Sequence, residues 1–244
     1  MRRYLLTLFF LVIPVLTFAA LSFPYGSIMN FNPAYMVYNT RWSVSYETYF
    51  GVPQQMDFAI FQPFKNGFAG KLGFYTSEAT NGIAYSIATK SGDLNIGSDF
   101  LISTYGTNIS VSFGAGMIEK ILQNLDLSVR LPDVLTYTYD KGINVYPNFE
   151  VDLNLPYDYW SAGAFLSVNQ FVSGGIWGSL SAFNVQALAR IQGGYIPSTP
   201  SITQNVFDFN LQSSIGSMSF AYLYEYTWGI TTGQENGFRI SAQW

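Results

Sequence analysis

The chain of 244 residues is predicted to be all-β: a single antiparallel transmembrane β-barrel of about 14 strands, with 12 as the alternative count. Three observations carry this. Charged residues make up 11% of the chain and aromatics 18%, whereas ordinary soluble proteins carry about 25% charge. Beyond the N-terminus, no apolar run approaches the ~20 residues of a membrane helix. The remainder reads as short alternating segments parted by turn residues, the pattern of strands with unlike faces.

The elements follow in order. Arg2 and Arg3 precede the apolar run Leu5 to Leu16, which Pro14 interrupts, and Thr17-Phe18-Ala19 offers small residues to a signal peptidase. The run is too short to span a bilayer, so residues 1–19 are expected to be a cleaved export signal. Residues 20–40 form an N-terminal segment, periplasmic or inserted in the lumen, and residues 41–244 form the barrel.

Within the barrel the clearest strands alternate. Ile109, Val111, Phe113, Ala115 and Met117 share one face. Phe149, Val151, Leu153 and Leu155 oppose Glu150, Asp152 and Asn154. Leu125, Leu127, Val129 and Leu131 oppose Asp126, Ser128 and Arg130, and Phe207, Phe209 and Leu211 oppose Asp208, Asn210 and Gln212. Turns are expected at Lys65-Asn66-Gly67, Ser91-Gly92-Asp93, Tyr105-Gly106-Thr107, Pro132-Asp133, Asp140-Lys141-Gly142 and Ser173-Gly174-Gly175. A longer loop is expected over Pro197 to Ser201, and a polar link from Thr231 to Asn236.

The polar face decides which way the strands point. It is rich in Ser, Gly, Asn, Gln and Thr, where a soluble surface would carry far more Lys and Glu. The apolar face therefore meets lipid and the polar face lines the lumen. Trp42, Tyr46, Trp160, Trp177, Tyr224, Tyr226 and Trp228 suit the bilayer interfaces. The candidate lumen-facing charges are Glu47, Arg130, Glu150, Asp152, Arg190, Asp208, Glu225 and Arg239. An open sheet edge is untenable in hydrocarbon, so the last strand must pair with the first.

Composition also excludes. The chain has no cysteine and no histidine, so it lacks disulfides, the usual metal ligands and the commonest general base. No cofactor or metal site is expected, and no catalytic constellation is visible. A net charge of −4 makes it a poor nucleic-acid binder.

Two resemblances add to this. The tail, with Phe238, Ile240 and Trp244 on one face, resembles the C-terminal signal of bacterial outer-membrane proteins. That resemblance implies recognition by the barrel-assembly machinery. Asn32-Pro33-Ala34, just before the first strong strand, resembles the element that precedes the first strand in PorV/PorQ-type and FadL-like barrels, the fatty-acid transporter superfamily. It implies an N-terminal plug within or under the barrel and hydrophobic substrates. The functional expectation is an outer-membrane channel or transporter for small polar or hydrophobic solutes. The alternative is a non-conducting scaffold barrel for surface-layer anchoring or secretion.

Overall fold

The computed structural model describes residues 31–50, 55–77, 80–139, 141–146, 148–168 and 172–244. The expected export signal, residues 1–19, and the start of the N-terminal segment, 20–30, lie outside the described residues. A short 3-10 helix, Pro33–Tyr38, precedes the wall. The wall segments are β1 Ser43–Phe50, β2 Gln55–Lys65, β3 Phe68–Ser77, β4 Thr80–Ser91, β5 Leu94–Tyr105, β6 Asn108–Leu122, β7 Leu125–Thr138, β8 Gly142–Val145 and β9 Phe149–Pro156. They continue as β10 Trp160–Val168, β11 Val172–Ala182, β12 Val185–Ile196, β13 Thr199–Ile215, β14 Met218–Gly229 and β15 Gly233–Gln243.

Successive segments pair antiparallel, and β1 pairs with β15 from Ser43↔Gln243 to Phe50↔Asn236, so the sheet closes on itself. Segments β8 and β9 both lie against β7, with Thr138 opposite Gly142 and Arg130 opposite Glu150. They are two pieces of one wall strand, which makes this a closed 14-stranded barrel. The even count returns both ends of the wall to the same rim. Residues 66–67, at the β2–β3 turn, sit at that rim, with Asn66 at φ 56° and Gly67 at φ 88°, the geometry of a two-residue hairpin.

The broken strand explains one departure from expectation. Pro132-Asp133 is no turn but a bulge inside β7. Asp133 takes φ 48°, the register slips opposite Gly114, and Ser112 Oγ donates to Asp133 Oδ1 at 2.7 Å. A proline that cannot donate to the ladder is tolerated at such a bulge. Ser173-Gly174-Gly175 likewise lies within β11 and not in a turn. The loop expected over Pro197 to Ser201 contracts, because β13 already begins at Thr199, and the expected polar link gives way to β15 at Gly233.

The two faces separate as the alternation requires. Large apolar side chains such as Phe74, Ile83, Phe100, Phe113, Leu153 and Phe220 stand outward and exposed. The buried side chains are largely polar: Ser43, Ser45, Asp57, Lys71, Ser86, Asn95, Ser128 and Asp152 are all inside. A soluble fold reverses this order; a lipid-facing barrel demands it. Trp177 is the exception among the aromatics assigned to the interfaces, since it turns inward and is buried.

Candidate functional site in the barrel lumen

Every charged residue singled out from the sequence lies on the inner face. Glu47, Arg130, Asp152 and Arg239 are buried. Glu150 shares the face of Asp152 on β9. Arg190, Asp208 and Glu225 stand opposite one another across β12, β13 and β14.

The structure sorts these charges into three groups. At the β1–β15 seam, Arg239 Nε donates to Glu47 Oε2 at 2.6 Å, and both side chains are almost wholly buried. On the wall from β5 to β9, Arg130 lies 3.9 Å from Asp99 and in register with Glu150. On β12 to β15, Arg190 Nε donates to Asp208 Oδ2, and the Arg190 guanidinium lies over the Phe165 ring at 5.6 Å. Glu225 stands opposite Asp208 and, on its other side, opposite Glu235.

The described end of the N-terminal segment, from Phe31, lies against the inner face of the wall. Asn32 caps the 3-10 helix, its Oδ1 accepting from the Ala34 N–H at 3.0 Å. Its Nδ2 reaches the wall, with Ser128 Oγ at 2.9 Å, Val129 O at 3.1 Å and Met117 O at 3.2 Å. These acceptors belong to β6 and β7. The fit depends on Gly97 and Gly116, which are opposite each other in the ladder. A Cβ on Gly97 would fall 2.7 Å from Ala34 N, and one on Gly116 would run into the Asn32 amide. Only a wall without side chains lets this backbone lie flat on it. The helix then packs against β2 to β6. Phe31, Met36 and Val37 join Phe61 and Ala59 in an apolar cluster, and the Lys71 Nζ sits 4.5 Å from the Phe31 ring centre. Tyr35 accepts from Asn154 Nδ2 at 2.6 Å. Burial first, then the nearby Asp152 carboxylate, push the Tyr35 hydroxyl above its ordinary range, so it stays neutral.

A second device recurs around the wall. Four inward aromatics, Tyr49, Tyr75, Phe165 and Trp177, each stand directly opposite a glycine on the next strand: Gly237, Gly82, Gly175 and Gly163. Each ring lies over its glycine. A Cβ on Gly175 would come within 2.9 Å of the Phe165 ring, and one on Gly237 within 3.0 Å of Tyr49. A Cβ on Gly163 or Gly82 would overlap the Trp177 or Tyr75 ring outright. The rings thus lie along the wall and do not project toward the barrel axis. Phe165 and Trp177 form an apolar patch with Leu188.

Sequence reasoning missed Asp57, Lys71 and Asp99, although the apolar neighbours of each (Met56 and Phe58, Leu72, Phe100) put them on the polar face. It missed the glycine platforms entirely, since a glycine opposite a ring becomes visible only once the register is known.

No family model matches the chain, and no curated protein matches it. Among solved structures the chain is similar to the CymD monoaromatic hydrocarbon channel, with a TM-score of 0.67 at 7% identity, covering 87% of this chain and 91% of that one. It is similar to a bacterial polysaccharide outer membrane secretin, with a TM-score of 0.53 at 8% identity, over 84% and 99% of the two chains. It is also similar to the outer membrane protein Omp33 of Acinetobacter baumannii, with a TM-score of 0.51 at 9% identity, over 84% and 99%. At these identities the likeness is one of fold.

Proposed function

We propose that the protein is a bacterial outer-membrane conduit for small polar or hydrophobic solutes, with the N-terminal segment controlling passage through its lumen. The observation that carries this reading is the division of faces. The outside is an apolar belt, while the inside holds charged and hydroxyl side chains that water or solute must solvate. The described part of the segment, held by Asn32 on Gly97 and Gly116, packs on the β2-to-β6 side of that interior, and β10 to β15 carry charges and flat aromatic rings on their inner face. Rings presented face-on suit apolar or aromatic solutes, and one fold neighbour is described as a monoaromatic hydrocarbon channel. The resemblance of Asn32-Pro33-Ala34 to the FadL-like element points the same way. Phe238, Ile240 and Trp244 at the last strand are the proposed contact for the barrel-assembly machinery, and residues 1–19 the proposed export signal.

One observation favours a second reading. Phe61 and Lys71 are fully buried beneath the inserted segment, as in a barrel that is held shut. A shut barrel would serve as a scaffold. Conductance of the refolded protein in a planar bilayer separates the two, once unheated and boiled samples are seen to migrate differently on a gel. Discrete conductance steps are expected; a heat-modifiable barrel that never conducts would leave the scaffold.

A further inference from the structure

We infer that the outer face of the wall carries a seat for one hydrocarbon chain of a membrane lipid. Gly174 and Gly193 form its floor, and the Asn205 amide holds the ester or amide linkage at the head of that chain. The seat faces the bilayer, so it stands whether or not the lumen conducts. Its floor comes from the register of β10 to β14. Leu166, Gly174, Gly193, Asn205 and Trp228 lie side by side in one outward row. The next row is of the ordinary lipid-facing kind, with Ile176, Ile191 and Phe207 abreast and both isoleucines exposed. At the two glycines, which pair with each other in the ladder, the wall is hollowed instead. They floor a cavity of about 580 Å³ walled by Leu166, Val172 and Tyr195. Small-molecule sites run from about 300 to 1,000 Å³.

Neither glycine is required by its backbone, because neither takes the positive φ of the turn glycines. Nor does either admit a ring, as Gly163 and Gly175 do on the inner face. A Cβ on Gly174 would meet the Phe165 carbonyl oxygen at 3.2 Å, and one on Gly193 the Asn205 Oδ1 at 3.1 Å. A lipid-facing strand favours β-branched and aromatic side chains, and glycine inside a strand marks a place where a ligand or another backbone comes close. The atoms nearest these two positions belong to the neighbouring strands alone. Asn205 is the second, independent observation. Its Oδ1 leans over Gly193, into the cavity. A polar amide on a lipid-facing wall costs free energy unless it is hydrogen-bonded. Among the described residues the Asn205 side chain makes no such bond. Trp228, directly opposite Asn205, suits the polar boundary of the bilayer. At that depth the lipid itself supplies the partner: a linkage carbonyl accepts from Asn205 Nδ2, while the chain below it fills the glycine floor and runs on over Ile176 and Ile191. The groove is thus continuous with the lipid-facing belt. No charged side chain lines it, so it reads the chain and its linkage and not the charge of a headgroup.

The test titrates the signal-free protein, refolded in a non-ionic detergent, with dimyristoylphosphatidylcholine and reads the complexes by native mass spectrometry. One lipid per barrel should bind well before any other. Gly193→Val fills the floor while crowding only the end of the Asn205 side chain; Gly174→Ala is the second filling variant. Each should weaken the first lipid by about fourfold or more, as keeping one methylene from burial would. Asn205→Ala should weaken it by about three- to tenfold, the loss of one hydrogen bond. The diether analogue of the lipid has no carbonyl, so the parent and Asn205→Ala should bind it alike. Each variant is first shown to keep the gel shift of the folded barrel. Equal affinity for the first lipid in the parent and both filled variants would overturn the seat, as when the chain's own link 169–171, which lies outside the described residues, fills the groove. A pair of barrels in the parent that Gly193→Val separates would overturn it too, since the occupant would then be a second copy of this chain. A diether that the parent binds as tightly as the ester would overturn the role given to Asn205.

Discussion

Asn32 ties the inserted segment to the wall through its side chain, and the tie is chemically specific. Its amide donates to a hydroxyl and two main-chain carbonyls on neighbouring strands while its oxygen caps the helix. Asn32→Ala removes all of these and strands their partners, at a cost of about 1–3 kcal/mol of docking. Faster proteolysis of the N-terminal segment, with the barrel still heat-modifiable, is the expected outcome. Tyr35 adds a pH response. Its proton is held more tightly in the docked state than in the free segment, so docking is unaffected below the ordinary tyrosine value of about 10 and weakens as pH rises past it. Protease sensitivity of the segment should climb over that range, and Tyr35→Phe should blunt the climb, the remainder coming from Tyr38, whose hydroxyl burial also pushes up. An undiminished climb in the phenylalanine variant would mean that Tyr35 is not the group responsible.

At the scale of the strand, the legible and the illegible parts divide by physical cause. Strand β9 could be read directly, because Val151, Leu153 and Leu155 alternate with Asp152 and Asn154, and burial follows that alternation. The last strand was legible for the same reason, and its predicted pairing with the first is observed. Strand β11 was not. Its Ser173-Gly174-Gly175 carries the composition of a turn, yet Gly175 serves to admit the Phe165 ring from β10. Trp177 was assigned outward on its residue type, while its parity with Ser173 and Ser179 puts it inside. A local window cannot separate a glycine that bends the chain from one that clears space for a neighbour. The glycine–aromatic pairs make a prediction of their own. Gly82→Val or Gly163→Val should tip Tyr75 or Trp177 off the wall toward the axis. Single-channel conductance is expected to fall, with the gel shift of the folded barrel retained; unchanged conductance would mean that the rings do not bound the path.

For the molecule as a whole, closure rests on the seam between β1 and β15. Glu47 and Arg239 form a buried pair there, so Arg239→Ala leaves a carboxylate without its partner and should cost about 3–5 kcal/mol. Replacing both by apolar residues of similar volume should cost much less. The temperature at which the unheated gel form disappears reads both. The seam also sets an order in time. Its two residues lie 192 positions apart, whereas the other wall contacts join segments near one another in the chain. Hairpins can form early and cheaply, but the seam demands that almost the whole chain be looped back on itself. Until β15 arrives, the growing sheet has two raw edges, each able to recruit a strand from another molecule. The period of greatest danger for this protein therefore falls between its first hairpin and its last, when a helper that shields an edge would matter most.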